Sequence, residues 1–148
     1  MASKRDLKLD EYNIGKYAYR ELHNFCLQYP YKKQRLADLR RPYHSPQITG
    51  MPHGNDAGQP TEDNAERAAV LSHDCEMIEH AAIQASAKDY QNIIRAVTQD
   101  MPWYYLQSVF GLKTARHTFD AERRYFYYLL AKKKKIFSLA FMGRTFVI

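Results

Sequence analysis

Residues 113–135 hold eight lysines and arginines against two acids, Asp120 and Glu122. Lys113, Thr114, Arg116, His117 and Asp120 come directly after a glycine turn at Gly111. In a helix-turn-helix the start of the second motif helix enters the major groove, so side chains placed there face base edges or the nearest phosphates. Arg123, Arg124, Lys132, Lys133, Lys134 and Lys135 lie further along, where cationic groups neutralise backbone phosphate without reading sequence. A helical hairpin with a basic outer face accounts for the same residues without DNA. The spacing also departs from the usual motif, because the first large apolar residue after Gly111 and Leu112 is Phe119, about two positions late.

Other chemistries fit the residues less well. His73, Glu76 and His80 recur at three and four residue steps and could approach one divalent metal, but no fourth ligand is evident. Cys75 stands two residues from His73, and such positions do not face each other on a helix, so it reads as a buried, inert thiol. No phosphate-binding glycine loop, serine elbow or paired-carboxylate site is visible. The 12 tyrosines, 7 phenylalanines and single tryptophan could stack on bases, yet their helical spacing assigns most of them to the core. The expectation is therefore a protein that is not an enzyme and uses neither cofactor nor metal.

The elements that must position the basic residues are helices. Tyr90, Ile93, Ile94 and Val97 mark one, which Met101 and Pro102 break, with Pro102 as the first residue of the next. Trp103, Leu106, Val109 and Phe110 mark a second, short helix that ends at Gly111, where a turn can use positive φ. Thr114 is the expected cap of a third helix, with Ala115, Phe119, Glu122, Phe126, Leu129 and Leu130 inward and Arg116, His117, Asp120, Arg123, Arg124 and Tyr127 outward. Together, residues 93–135 make the helix-turn-helix reading natural.

Upstream, Tyr17, Ala18, Leu22, Phe25, Cys26 and Tyr29 pattern a helix from about Asp10, which Pro30 should kink or interrupt. Tyr31, Leu36 and Leu39 resume it among basic residues. Residues 42–60 hold four of the six prolines and three of the six glycines, which predicts a loop. Thr61 is the expected N-cap of a packing helix whose residues Ala68, Leu71, Cys75, Ile78, Ala82 and Ala85 form a narrow seam of 3.5-residue period. That seam packs either in cis or against a second copy in a dimer. The division is then a basic helical segment over 1–41, a loop over 42–60, a packing helix over 61–87, the helix-turn-helix unit over 88–135 and an apolar tail over 136–148, in a mainly α fold.

Charge follows the same division. Residues 1–41 carry 10 basic against 5 acidic side chains, residues 42–100 carry 3 against 9, and residues 101–148 carry 9 against 2. The local balances of +5, −6 and +7 give two candidate polyanion surfaces around an acidic middle. Two cysteines suit a reducing compartment. The tail is shorter than the roughly 20 apolar residues that span a bilayer, and nothing at the start reads as a secretory signal, so no membrane partner is expected.

One set of short motifs points further. Phe25-Cys26-Leu27-Gln28-Tyr29-Pro30, Gly50-Met51-Pro52-His53-Gly54, Pro60-Thr61-Glu62, Val97-Thr98 and Arg123-Arg124-Tyr125-Phe126-Tyr127-Tyr128-Leu129-Leu130 occur in this order. The set resembles small phage and prophage proteins akin to RinA-type late transcription regulators, whose C-terminal part is similar to sigma-factor region 4, and it covers residues 17–135. The resemblance implies a DNA-binding transcription regulator, most simply an activator of late genes, working in the bacterial cytoplasm with residues 114–130 as recognition helix. Its implied partners are double-stranded DNA and bacterial RNA polymerase. On charge grounds alone, the acidic stretch 62–79 is a candidate protein-facing surface. A DNA-packaging protein such as a small terminase subunit, or an adaptor that inhibits a host enzyme, fits the same helices.

Overall fold

The computed structural model describes residues 6–41 and 59–145. The chain is mainly helical: a 3-10 turn at Asp10–Tyr12 precedes α1 (Lys16–Leu27), α2 (Tyr29–Arg40), α3 (Gln59–Ala85), α4 (Tyr90–Gln99), α5 (Trp103–Phe110) and α6 (Arg116–Thr145). The loop expected over 42–60 falls largely outside the described residues, and its last two positions are already helical. Thr61 consequently lies in the first turn of α3 and is not its cap. No helix among the described residues is long and apolar enough to cross a membrane.

Pro30 separates α1 from α2 as expected. It occupies the first turn of α2, where its missing N–H costs no hydrogen bond. Upstream the helix is shorter than the pattern suggested. Chain from Asp10 makes one 3-10 turn, closes it through Asn13 at φ 57°, and starts α1 only at Lys16. Tyr17 therefore lies outside, 78% exposed, and Tyr19 takes the inward place with Leu22 and Cys26. Residues 19, 22 and 26 keep the three and four residue steps that hold one helix face against a core.

The core gathers around α6. Phe119, Phe126, Tyr127 and Leu130 are buried there with Ile78, Ala81 and Ala82 from α3, Ile93 and Val97 from α4, Leu106 from α5, and Leu9 from the N-terminal segment. Tyr127, expected outside, is fully buried and meets Tyr19 edge-on at 5.2 Å. Its hydroxyl lies 3.2 Å from His23 Nδ1, which lets the phenol enter the core with its polar tip satisfied. The seam of α3 packs in cis: Cys75, Ile78 and Ala82 are buried within the chain, and Leu71 is half-buried. Cys75 is buried, as read from sequence, and burial raises its thiol above the usual range.

The basic N-terminal segment and the acidic α3 meet each other. Lys32, not Tyr31, turns inward on α2, and its Nζ lies 2.9 Å from Asp74 Oδ2. Lys33 Nζ is 2.7 Å from Glu79 Oε1, and the Tyr29 hydroxyl donates to the same oxygen at 2.7 Å. Partial burial alone would raise the Glu79 carboxyl, but the hydrogen bonds from Lys33 and Tyr29 outweigh it and hold Glu79 below the usual carboxylate range. Arg40 reaches Ser72 at 3.4 Å. Lys32 and Lys33 of the expected polyanion surface and Asp74 and Glu79 of the expected protein-facing stretch are thus spent on the α2–α3 contact, while Arg35, Arg40, Arg41, Glu62, Asp63, Glu66 and Glu76 stay exposed.

Removing Asp74 leaves the Lys32 ammonium enclosed without its counter-ion. Asp74→Ala is expected to cost about 2–4 kcal/mol in denaturant unfolding, and the double variant Lys32→Met/Asp74→Ala markedly less, because the apolar replacement has no charge to desolvate. Equal losses in the two variants would contradict this.

Candidate nucleic-acid interface

The candidate site begins at the end of α5. Gly111 ends that helix in the left-handed region at φ 69°, and the Leu112 N–H folds back to the Leu106 carbonyl at 3.2 Å. Leu112 enters the core at 3% exposure. A five-residue turn, 111–115, follows before α6 starts at Arg116, with the Ala115 carbonyl accepting the Phe119 N–H at 2.9 Å. The length of this turn explains the late Phe119. It sits in the first turn of α6 and reaches the core from there.

Thr114 does not cap α6. Its hydroxyl donates to Asp89, a carboxylate 5% exposed at the turn between α3 and α4. Its carbonyl accepts the Trp103 indole N–H at 2.8 Å. Asp89 is further fixed by its own N–H, which donates to Ser86 Oγ at 3.1 Å. Thr114 therefore belongs to the scaffold that fixes the turn, joining α4, α5 and α6, and is turned away from the outer surface.

Beside this knot stands Glu122, inward on α6 as its spacing predicted. Loss of solvent, together with the facing Asp89 carboxylate, pushes its carboxyl up to about 7. A carboxyl pair invisible in the sequence is thus assembled from residues 33 positions apart, 89 and 122, on different elements.

The other candidate residues separate into two groups. Lys113, Arg116 and His117 are exposed at the turn and the first turn of α6, and neither Lys113 nor Arg116 forms an ion pair among the described residues. Thr118 and Ala121 are exposed next to them, and neither polarity nor charge had singled them out. Their signal was the helical phase alone, counted back from Phe119, Phe126 and Leu130. Asp120, by contrast, pairs with Arg123 at 3.2 Å, and Arg124 Nε is 3.1 Å from Glu11 Oε1. Both arginines are mostly covered, at 22% and 31% side-chain exposure.

The covering element is the N-terminal segment. Tyr12 stacks on Tyr128 at 4.8 Å and lies 6.5 Å from Tyr125, so the Asp10–Tyr12 turn rests against the middle of α6. Leu9 anchors it at 1% exposure. The first two turns of α6 are left open while the middle is flanked by Glu11. Further along, Lys134 lies over the Phe25 ring at 4.0 Å and Lys132 over Tyr128 at 5.3 Å, while Lys132 and Lys135 are exposed and Lys133 is half-exposed. α6 runs past Lys135 without a break, so the four lysines are carried on a continuous helix that takes in the tail as far as Thr145.

Among the described residues no three His, Cys, Asp or Glu side chains converge as metal ligands. On α5 the apolar pattern placed too much inside: only Leu106 is buried, Tyr104, Tyr105, Val109 and Phe110 are exposed, and the Arg95 guanidinium lies over Phe110 at 4.0 Å. Comparisons of the chain with protein-family models, with curated proteins and with solved structures found no match.

Two substitutions separate scaffold from surface. Thr114→Val takes a donor from the buried Asp89 carboxylate and is expected to destabilise the fold by about 1–3 kcal/mol. Arg124→Ala removes a pair whose acid, Glu11, is 57% exposed, and should change stability by less than about 1 kcal/mol. Urea unfolding of both variants checks the contrast, and a neutral Thr114→Val would remove the hydroxyl from the scaffold.

Proposed function

We propose that this chain binds duplex DNA, with the turn 111–115 and the first two turns of α6 as its contact surface. The observation that carries the reading is where the exposed cations stand. Lys32 and Lys33 of α2 and Arg123 and Arg124 of α6 are paired with the chain's own acids, and Arg35 and Arg40 stay exposed on α2; Lys113 and Arg116, exposed and without an ion pair among the described residues, stand at the start of a helix that follows a tight turn. Cations in that place meet phosphate or guanine edges when the helix end enters a major groove. His117, Thr118 and Ala121 offer the neighbouring outer surface, where small and polar side chains permit close approach to base edges.

The biological role that goes with this surface is transcription regulation in a phage or prophage, in the cytoplasm of a bacterial host. The resemblance to RinA-type late regulators supports that role, and an activator of late genes is its simplest form. Lys132, Lys133 and Lys135 extend the electrostatic footprint along α6. Arg123 and Arg124 act inside the fold, tying α6 to itself and to the N-terminal segment.

Salt titration of duplex affinity tests the assignment. Lys113→Ala and Arg116→Ala should each flatten the slope of log affinity against log salt by roughly one unit on random duplex, and Arg124→Ala should change it by clearly less. On a cognate site Arg116→Ala should cost about 1–3 kcal/mol more than on random duplex if its guanidinium reads guanine. No salt-dependent affinity in the wild-type chain, or equal slopes in all three variants and wild type, would overturn the reading and favour a protein-binding adaptor.

A further inference from the structure

Beneath the proposed contact surface, two carboxyl groups from different elements meet. Asp89 is nearly sealed from solvent, accepts the Thr114 hydroxyl and stands at the start of α4. Glu122 faces it from α6, and one Glu122 carboxyl oxygen is enclosed and meets no donor among the described residues. The turn between α3 and α4 supplies the polar and charged groups that act on Glu122: Asp89 favours its protonated form, while Ser86 and Lys88 favour the carboxylate and are outweighed by Asp89 and by loss of solvent. On α6, the neighbouring Asp120 and Arg123 pair with each other. The turn before α6 brings Thr114, which is engaged with Asp89 and cannot neutralise it.

Two carboxylates in such a place repel each other at low local dielectric, whereas a proton on one converts the contact into a charge-assisted O–H···O hydrogen bond. We propose that Asp89 and Glu122 share one proton, and that the protonated pair holds the 111–115 turn and the start of α6 in the posture that meets DNA. Asp89 and Glu122 are positioning residues and touch no DNA themselves. The inference rests on the DNA-binding reading and adds its regulation by pH.

The direction follows from where the proton is held more tightly. Glu122 in the folded chain keeps its proton up to about 7, well above an unfolded glutamate. The stability linked to it is complete below the ordinary carboxylate range and is lost as pH rises through about 7. Above that, the two carboxylates push α6 away from the α3–α4 turn and weaken the hold on Thr114. Duplex affinity then falls with rising pH.

The experiment uses the full chain and its Glu122→Gln variant. Carbon NMR follows the Glu122 carboxyl from pH 4 to 9, thermal unfolding is measured at pH 6 and pH 8, and affinity for a random duplex is measured over the same interval. The Glu122 signal should move near neutrality. Wild-type melting temperature should fall between pH 6 and 8, and affinity should drop by up to about tenfold per pH unit above 7, the limit for one linked proton. Between pH 6 and 8 Glu122→Gln should lose clearly less melting temperature and duplex affinity than wild type, since every other titratable group, His117 at the contact surface included, is the same in both chains.

Each failure has its own signature. A Glu122 signal that moves in the ordinary carboxylate range overturns the shared proton. Titration near neutrality with duplex affinity that ignores it overturns the link to the contact surface. Titration near neutrality with no duplex binding at any pH overturns the DNA reading and leaves the pair standing. Should Glu122→Gln fail to fold, Asp89→Asn, which keeps an acceptor for Thr114, decides: it should move the Glu122 titration down toward the ordinary range, with the part due to burial remaining, and an unmoved titration would overturn the pair.

Discussion

An ammonium group that leaves water needs a counter-charge, and in this chain Lys32 finds one in Asp74 at 2.9 Å with the Phe25 ring 4.2 Å away. That contact sets much else. It brings the inward face of α2 onto α3, and the neighbouring Lys33, Tyr29 and Glu79 extend it by one turn. Phe25 belongs to α1 and also lies 4.0 Å from Lys134 of α6, so one aromatic ring links the α2–α3 pair to the far helix. With Lys32 and Lys33 neutralised by Asp74 and Glu79, the fold leaves exposed positive charge at Arg35 and Arg40 of α2, at the 111–115 turn and along α6.

A second constraint acts at the opposite end of the bundle. The turn before α6 is too long to be held by its own backbone, and its conformation is set by side chains: Thr114 on Asp89, Trp103 on the Thr114 carbonyl, and Leu112 in the core. Gly111 supplies the positive φ that lets α5 stop there. These contacts tie the α3–α4 turn and α5 to the 111–115 turn that leads into α6. Buried hydrogen bonds to a carboxylate are strong but depend on protonation, which gives this junction both rigidity and a way to lose it.

Local pattern made the helices legible, and long-range pairing made the site illegible. Pro30, Gly111 and the seam of Cys75, Ile78 and Ala82 could be read because each acts through its neighbours in sequence. Helical phase also put Glu122 inside. The same phase argument misplaced Tyr17, Tyr31, Val109 and Phe110, since apolar residues on a small helix bundle exceed the inward positions available. Nothing near Arg124 announces Glu11, and nothing near Thr114 announces Asp89, so the internal partners of these two candidate residues could not be read from the sequence. Thr118 and Ala121, exposed beside Arg116 and His117, carry no charge that would single them out in the sequence.

The central claim is that one end of α6, and not the basic face of α2, meets polyanion. Amide hydrogen exchange of the chain, free and saturated with duplex DNA at low salt, tests it most directly. The account predicts added protection over residues 111–121, and no added protection over α2. Protection centred on α2, or an exchange pattern that duplex leaves unchanged, would contradict it.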